Sequence, residues 1–234
     1  MRFLRMAAVA AAIAGALTAS TGAGSVSAEP SVVLGAGSGI VFDNDAGCSL
    51  TAIGHDNAGR LVGLTAGHCA PTGARVAAEQ ALDAGVIGTV AFSDDGAYLD
   101  FAVLQLDASK VIPTRTIGET TVAGIGGLPG AGTTVCSDGR TTGRSCGVVW
   151  GELEGTSINQ YCSQPGDSGG PVVVGDQLVG MNQGRLTGLG PIDFNVPCTG
   201  GVNPIHSPAY FQPIQVILDV VNRAGGVGAG FQPI

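Results

Sequence analysis

A serine stands between glycines in the segment Gly166-Asp167-Ser168-Gly169-Gly170-Pro171. Glycine adopts backbone angles that are closed to residues with a Cβ, so the Ser168 hydroxyl can project from a tight turn while neighbouring amide hydrogens point at one spot. That arrangement suits attack on a carbonyl carbon. A plain surface turn is the competing interpretation, because Gly, Asp, Ser and Pro are the usual turn residues.

His68 is the candidate base for that serine. It lies in Thr65-Ala66-Gly67-His68-Cys69, where a strand end and a cysteine would hold its ring in place. A lone histidine is more often structural, and His55, next to a turn, is expected to be so. His68 differs because its neighbours restrain it, and we expect it to act as a general base.

Asp100 is the candidate acid that orients the histidine. It stands directly before the apolar run 101–104, where a carboxylate is costly unless a hydrogen-bond donor satisfies it. The Nδ1 hydrogen of His68 would meet that need. Asp94 and Asp95, by contrast, are expected to form a solvated turn.

Residues 1–28 have the pattern of a secretory signal peptide. Two arginines precede an apolar run at 6–17, and small residues follow it at Val26-Ser27-Ala28. A membrane anchor is the competing interpretation, but the run is too short to span a bilayer and no later segment is long enough. The protein is therefore expected to be secreted, without membrane insertion, and its mature chain to begin near Glu29.

The remaining 206 residues carry a net negative charge. Removing Arg2 and Arg5 with the leader leaves 8 Lys and Arg against 18 Asp and Glu, a net charge of −10. Nucleic acid and anionic membrane surfaces are poor partners for such a chain. The expected partner is a protein or peptide substrate, and the expected state is a monomer.

The exported part of the chain contains six cysteines, Cys48, Cys69, Cys136, Cys146, Cys162 and Cys198. In an oxidising compartment this number predicts three disulfides, for which fifteen pairings are possible. A zinc site is the alternative, but the sequence has no Cys-x-x-Cys or His-x-x-x-His spacing. No metal and no cofactor are therefore expected.

The composition favours β structure, because glycines are abundant, only 12% of residues are charged, and short apolar runs alternate with turn residues. Strands are predicted at residues 38–42, 48–53, 61–65, 85–92, 101–106, 133–136, 146–152, 170–174 and 177–181. A helix is predicted at 213–222, where apolar residues recur at helical spacing. The segment that follows residue 107 loses the strand pattern, which indicates a domain boundary near residue 118.

The segments around His68, Asp100 and Ser168, in that chain order, resemble the chymotrypsin-like serine peptidases. The order separates them from subtilisin-like and α/β-hydrolase enzymes. Three segments are similar to the secreted bacterial branch, the streptogrisins and α-lytic protease: Cys162-Ser163-Gln164-Pro165, Gly139-Arg140-Thr141-Thr142-Gly143 and Tyr210-Phe211-Gln212-Pro213. The resemblance implies an all-β fold of two antiparallel six-stranded β-barrels and a short C-terminal helix, with residues 29–118 in the first barrel and 119–234 in the second barrel and helix.

The same resemblance implies a role for each residue of the site. Ser168 would attack the scissile carbonyl, His68 would carry the proton, and Asp100 would hold the imidazole in the right tautomer. The amide hydrogens of Gly166 and Ser168 would form the oxyanion hole. The implied disulfides are Cys48–Cys69, Cys136–Cys146 and Cys162–Cys198.

Two further features follow from the resemblance. An ion pair between Arg140 and Asp167 would keep the oxyanion hole in its active shape. If Arg185 or His206 points into the substrate pocket, its positive charge would favour an acidic side chain before the scissile bond. The substrate pocket would be lined by Ser163, Gln164, Pro165, Asn182, Gln183, Gly184, Arg185 and His206.

The expected function is that of a secreted serine endopeptidase. The bacterial relatives commonly carry a Ser-Gly-Gly segment after the strand that follows the nucleophile, and this chain has Asn182-Gln183-Gly184-Arg185 at the corresponding place. A binding module on a protease fold, whose triad Gln183 and Arg185 occlude, is therefore the alternative from another class. An esterase with the same acyl chemistry is a third, since a fold alone does not decide function.

Overall fold

A computed structural model describes residues 31–43, 46–189, 192–193, 195–198 and 205–234. The predicted signal peptide and the start of the mature chain at Glu29 lie outside the described residues. Within the described part of the chain, no helix is long and apolar enough to cross a membrane.

The first barrel is built around the strand Leu61–Thr65, which is buried along its whole length. It pairs antiparallel with Ala52–His55 on one side and Ala102–Leu106 on the other. The nearly continuous apolar run Leu61-Val62-Gly63-Leu64 suits a strand that is covered on both faces. Across the sheet the strands are Gln232–Pro233, Ala52–His55, Leu61–Thr65, Ala102–Leu106, Val86–Ser93, Arg75–Ala78, Gly39–Phe42 and Gly47–Ser49.

This sheet closes through a bend between Gly47–Ser49 and Ala52–His55. The amide of Leu50 donates to Ser38 O at 2.9 Å, and the amide of Thr51 donates to Leu64 O at 2.8 Å. One continuous segment thus joins the two sides of the sheet. The predicted strand at 48–53 is therefore two strands, separated at the corner that makes the sheet a barrel.

The second barrel closes by strand pairing alone. Its strand Gln177–Arg185 pairs with Pro171–Val174 on one side and with Ala209–Pro213 on the other. Buried Val, Tyr and Phe side chains fill its interior. The six strands of this barrel are Thr134–Gly139, Gly143–Leu153, Thr156–Asn159, Pro171–Val174, Gln177–Arg185 and Ala209–Pro213.

The helix Ile214–Ala224 follows the second barrel. Ile214, Ile217 and Val221 form its buried stripe, as the helical spacing predicted. Beyond the helix the chain returns to the first barrel, where Gln232–Pro233 pairs with residues 54–55. The boundary near residue 118 stays a prediction, and the last residues of the chain complete the first barrel rather than the second.

Shorter elements connect the barrels and their loops. The strand Val32–Leu34 pairs in parallel with Val111–Pro113. The remaining elements are the strands Thr116–Ile117, Thr120–Thr121, Gly124–Ile125, Gly188–Leu189 and Ile192–Asp193 and the 3-10 helices Gly67–Cys69 and Glu79–Ala84.

The predicted all-β fold class with one short helix is confirmed, with one barrel of six strands closed by strand pairing and a second, eight-stranded sheet that bends at the corner described above. Four strands of the two barrel sheets were not predicted, namely Arg75–Ala78, Thr156–Asn159, Ala209–Pro213 and Gln232–Pro233. The first is rich in alanine and the second holds one strongly apolar residue, so neither shows the pattern typical of strands.

All three disulfides have the expected pairing. Cys48–Cys69 joins two segments of the first barrel. Cys136–Cys146 bridges directly opposed residues of neighbouring strands. Cys162–Cys198 ties the segment before Ser168 to a later loop.

Candidate active site

His68 lies in the single turn Gly67–Cys69, directly after the strand Leu61–Thr65. The strand is fully buried, and Cys69 is bonded to Cys48, so the backbone on both sides of the imidazole is fixed. The His68 side chain itself is exposed to solvent by 42%. A rigid support with an accessible ring is what a general base requires.

Asp100 binds His68 at two points. The His68 Nδ1 donates to Asp100 Oδ2 at 2.7 Å, and the His68 backbone amide donates to Asp100 Oδ1 at 2.7 Å. The predicted hydrogen bond to Nδ1 is therefore present. The carboxylate raises the pKa of His68 above its ordinary value, and partial burial opposes that shift.

Asp94 organises the loop that presents Asp100. Its Oδ2 accepts from the amides of Leu99 and Asp100 at 2.8 and 2.9 Å, and its Oδ1 accepts from Gly96 and Phe101 at 3.2 and 2.9 Å. The expectation of a solvated turn was wrong for Asp94, although its neighbour Asp95 is exposed. An aspartate followed by glycine two residues later is the available sequence signal, and it indicates a local turn only.

The turn that carries Ser168 docks onto the first barrel. The amide of Ser49 donates to Ser168 O at 2.8 Å. A Cβ at Gly169 would clash with Thr65 Oγ1 and would lie 2.8 Å from Ala66 N. Only glycine allows this approach, so Ser168 lies against the strand end that leads to His68.

Hydrogen bonds orient the two peptide groups of the predicted oxyanion hole. Thr141 Oγ1 donates to Pro165 O at 2.8 Å, and Asn182 Nδ2 donates to Asp167 O at 2.9 Å. In a trans peptide the amide hydrogen points opposite to the carbonyl oxygen. The amides of Gly166 and Ser168, which follow those carbonyls, therefore point away from Thr141 and Asn182. The oxyanion hole itself stays a prediction.

Asp167 is a buried carboxylate satisfied by four hydrogen-bond donors. They are the amides of Thr141, Thr142 and Gln164 at 2.9, 3.0 and 2.8 Å and the Thr142 hydroxyl at 2.8 Å. Several such bonds compensate a buried carboxylate without a direct cation contact. The predicted ion pair between Asp167 and Arg140 is not a direct contact in the described chain, although the negative charge of Asp167 raises the pKa of Arg140.

Arg140 pairs instead with Glu79, which belongs to the first barrel. Arg140 Nε donates to Glu79 Oε2 at 2.7 Å, and Nη2 bonds the other carboxylate oxygen. The Arg140 amide also donates to Ser49 Oγ at 2.9 Å, and that hydroxyl donates to Gly166 O at 3.0 Å. The arginine thus connects the two barrels beside the Ser168 turn.

Six of the eight predicted pocket residues fall into two groups. In the first, Asn182 Nδ2 donates to Ser163 Oγ at 3.0 Å, and Tyr161 donates its hydroxyl to Asn182 Oδ1 at 3.0 Å. All three residues are buried. Tyr161 was not predicted, and burial raises its pKa. A buried phenol needs a polar partner, which Asn182 supplies here. Nothing close to Tyr161 in the sequence marks that contact.

The second group lies closer to solvent. Arg185 Nη1 donates to Gln164 Oε1 at 2.6 Å, and the Gln164 side chain donates to Cys198 O at 2.7 Å. Gly184 precedes the arginine in the irregular part of its strand, and Pro165 is exposed beside Gln164.

Two predicted pocket residues have other contacts. Gln183 is buried, and its Nε2 donates to Asp100 O at 3.0 Å, so its side chain lies against the backbone of the candidate acid. His206 directs Nδ1 to Ser207 O at 2.8 Å, within its own loop. Their place in a substrate pocket stays a prediction.

Comparison with known proteins gives one sequence match and many structural ones. Streptogrisin-C of Streptomyces griseus is 32% identical over 124 residues, which are 47% of this chain and 24% of that protein. The chain thus spans about a quarter of the curated relative that it matches. No protein-family model matches the chain.

Two solved structures extend the likeness. Protease A of Thermobifida fusca is 25% identical with a TM-score of 0.63, and a chymotrypsin of Cellulomonas bogoriensis is 26% identical with a TM-score of 0.60. Each comparison covers 87% of this chain and 99% of the solved one. The sequence match and the shared fold together show that the chain is similar to bacterial chymotrypsin-like serine proteases.

Proposed function

We propose that the protein is a secreted serine endopeptidase that cleaves peptide bonds through an acyl-enzyme on Ser168. The observation that carries the proposal is the 2.7 Å hydrogen bond from His68 Nδ1 to Asp100 Oδ2. Both residues belong to the first barrel, and the turn that carries Ser168 contacts the same barrel through Ser49. With Nδ1 committed to the carboxylate, Nε2 is the ring nitrogen left to take a proton.

The reaction has two halves. Ser168 Oγ attacks the scissile carbonyl carbon while His68 Nε2 takes the hydroxyl proton, and Asp100 stabilises the imidazolium that forms. The oxyanion accepts from the amides of Gly166 and Ser168. His68 then gives its proton to the leaving amine, and an acyl ester on Ser168 remains. Water, deprotonated by His68, cleaves the ester and restores the serine.

Secretion is part of the same proposal. Three disulfides tie the described chain together, and such bonds persist in oxidising compartments. Residues 1–28 have the pattern of a secretory signal peptide, which also supports secretion. Each disulfide would restrict the unfolded chain and so raise the free energy of unfolding, typically by about 2–4 kcal/mol.

A fluorophosphonate probe tests the proposal, because it labels only an accessible and activated serine. We expect the secreted wild-type protein to be labelled on Ser168, and Ser168→Ala and His68→Ala to remain unlabelled. A folded wild type that does not react would favour the alternative of a binding module with an occluded triad. Labelling together with ester hydrolysis but no casein hydrolysis would identify an esterase.

A further inference from the structure

The loop that carries Asp100 is held in an unusual backbone conformation. It joins the strands Val86–Ser93 and Ala102–Leu106. Two residues with side chains lie in the left-handed region, Asp95 at φ 51° and Asp100 at φ 53°. Such residues are uncommon and persist where the surroundings hold them. Something in this loop must therefore stabilise the conformation that presents Asp100.

The Asp94 carboxylate accounts for much of that stabilisation. Its Oδ2 accepts from Leu99 and Asp100, and its Oδ1 accepts from Gly96 and Phe101. The four amides lie before, at and after Asp100. An ionised carboxylate has only acceptors, so a single side chain can bind all four donors at once.

Asp94 also contacts the segment that carries His68. A Cβ on Gly67 would clash with Asp94 Oδ1 and would lie 2.9 Å from Phe101 N. The neighbouring Ser93 Oγ donates to Gly67 O at 3.0 Å. The same short turn therefore touches both partners of the His68–Asp100 hydrogen bond.

We infer that Asp94 is a positioning residue, which sets the distance and direction of the Asp100 carboxylate relative to His68. The inference rests on the proposed function for its effect on catalysis. Its structural content, that Asp94 governs the His68–Asp100 hydrogen bond, does not depend on turnover. Asparagine at this position would match the carboxylate in size but would turn an NH2 group toward two of the four amide donors.

Three variants separate position from charge. Asp94→Asn keeps the size and removes the charge, whereas Asp94→Glu keeps the charge and moves the carboxylate by one methylene. Asp95→Asn is the matched control, because it removes the same charge from the adjacent, exposed residue. Circular dichroism confirms that each variant is folded before it is compared.

The first readout is kinetic. We expect Asp94→Asn to lower kcat on a peptide ester by about tenfold to a hundredfold, because small displacements of catalytic groups are costly, with KM within about twofold. Asp94→Glu should lower kcat in the same way, and Asp95→Asn should match the wild type. A merely structural role would lower the melting temperature and leave kcat of the folded protein unchanged.

The second readout is the NMR titration of the His68 imidazole. The charged and titratable groups around the imidazole are Asp94, Asp95 and Asp100, which share one loop, and Tyr210 of the second barrel, which interacts with Asp100. A weaker bond to Asp100 should lower the pKa of His68 in both Asp94 variants. Asp95→Asn should leave that pKa close to the wild-type value.

The two proposals can fail separately. A wild type without peptidase or esterase activity contradicts the proposed function, yet the His68 titration still tests Asp94. If Asp94→Glu keeps the wild-type pKa of His68 and the wild-type kcat, the positioning role is refuted. A shift in Asp95→Asn as large as that in Asp94→Asn also refutes it, because long-range charge would then explain the effect. Should Asp94→Asn fail to fold, Asp94→Glu decides the question.

Discussion

Arg140 of the second barrel holds the Glu79 carboxylate of the first barrel through two of its nitrogens. The two residues are 61 positions apart in the chain. Glu79 and Arg140 side chains are exposed by 33% and 26%, so solvent partly screens the pair. It is a contact between the barrels, next to the turn that carries Ser168, and it predicts a pH-dependent stability.

The hydrogen bond from Arg140 lowers the pKa of Glu79, and the positive charge adds to the effect. A depressed carboxyl pKa contributes stability above the unfolded value and loses it as pH falls through the folded value. Glu79→Gln should therefore lower the free energy of unfolding by about 1 kcal/mol near pH 7 and by much less near pH 3. Denaturant unfolding at both pH values measures the difference.

Asp83→Asn is the control for that experiment, since Asp83 is exposed on the same 3-10 helix as Glu79. It should be as stable as the wild type at either pH. Equal destabilisation of Glu79→Gln at both pH values would contradict the assigned ion pair.

Thr141 is predicted to keep the oxyanion hole in shape. Thr141→Val has nearly the same size but lacks the hydroxyl that donates to Pro165 O. Loss of one oxyanion donor costs about a hundredfold or more in rate. If the Pro165–Gly166 peptide group is misoriented for only part of the time, kcat should fall by about tenfold. KM should change little. Thr134→Val, on an exposed strand position, is the matched control. Wild-type kcat in Thr141→Val would show that the hydroxyl does not orient the peptide.

Arg185 is predicted to favour an acidic side chain before the scissile bond. Its guanidinium donates to the neutral Gln164 amide, and that contact brings no negative charge to the guanidinium. Two peptides that differ only in Glu or Gln at that position should show about a tenfold preference for Glu. Arg185→Gln should remove the preference, whereas Arg144→Gln, which removes an exposed charge of the same barrel, should keep it. A peptide library cleaved only after large apolar residues would refute the acidic preference.

The sequence predicted the parts of the fold that local pattern determines. The strand Leu61–Thr65 was recovered with its bounds, because a mostly apolar run stands between turn residues. The corner near Leu50 was missed, since the bend depends on hydrogen bonds to Ser38, which precedes one strand, and to Leu64, which lies on another. Chain closure of this kind has no local signature.

The site shows the same division. The contact of His68 with Asp100 was predicted because a carboxylate beside a buried strand requires a hydrogen-bond donor. The partner of Arg140 was not, because Glu79 lies on the other barrel and nothing near it in the sequence marks the contact. The role of Asp94 was missed for a related reason, since its four donors come together only when the loop folds back on itself.

The most direct test of the account is the kcat/KM of Ser168→Ala against wild type on one peptide substrate. Members of a catalytic triad act as a unit, so the account predicts a loss of about a millionfold in a folded, secreted protein. A Ser168→Ala protein that retains activity within about tenfold of wild type would contradict the claim that Ser168 is the nucleophile.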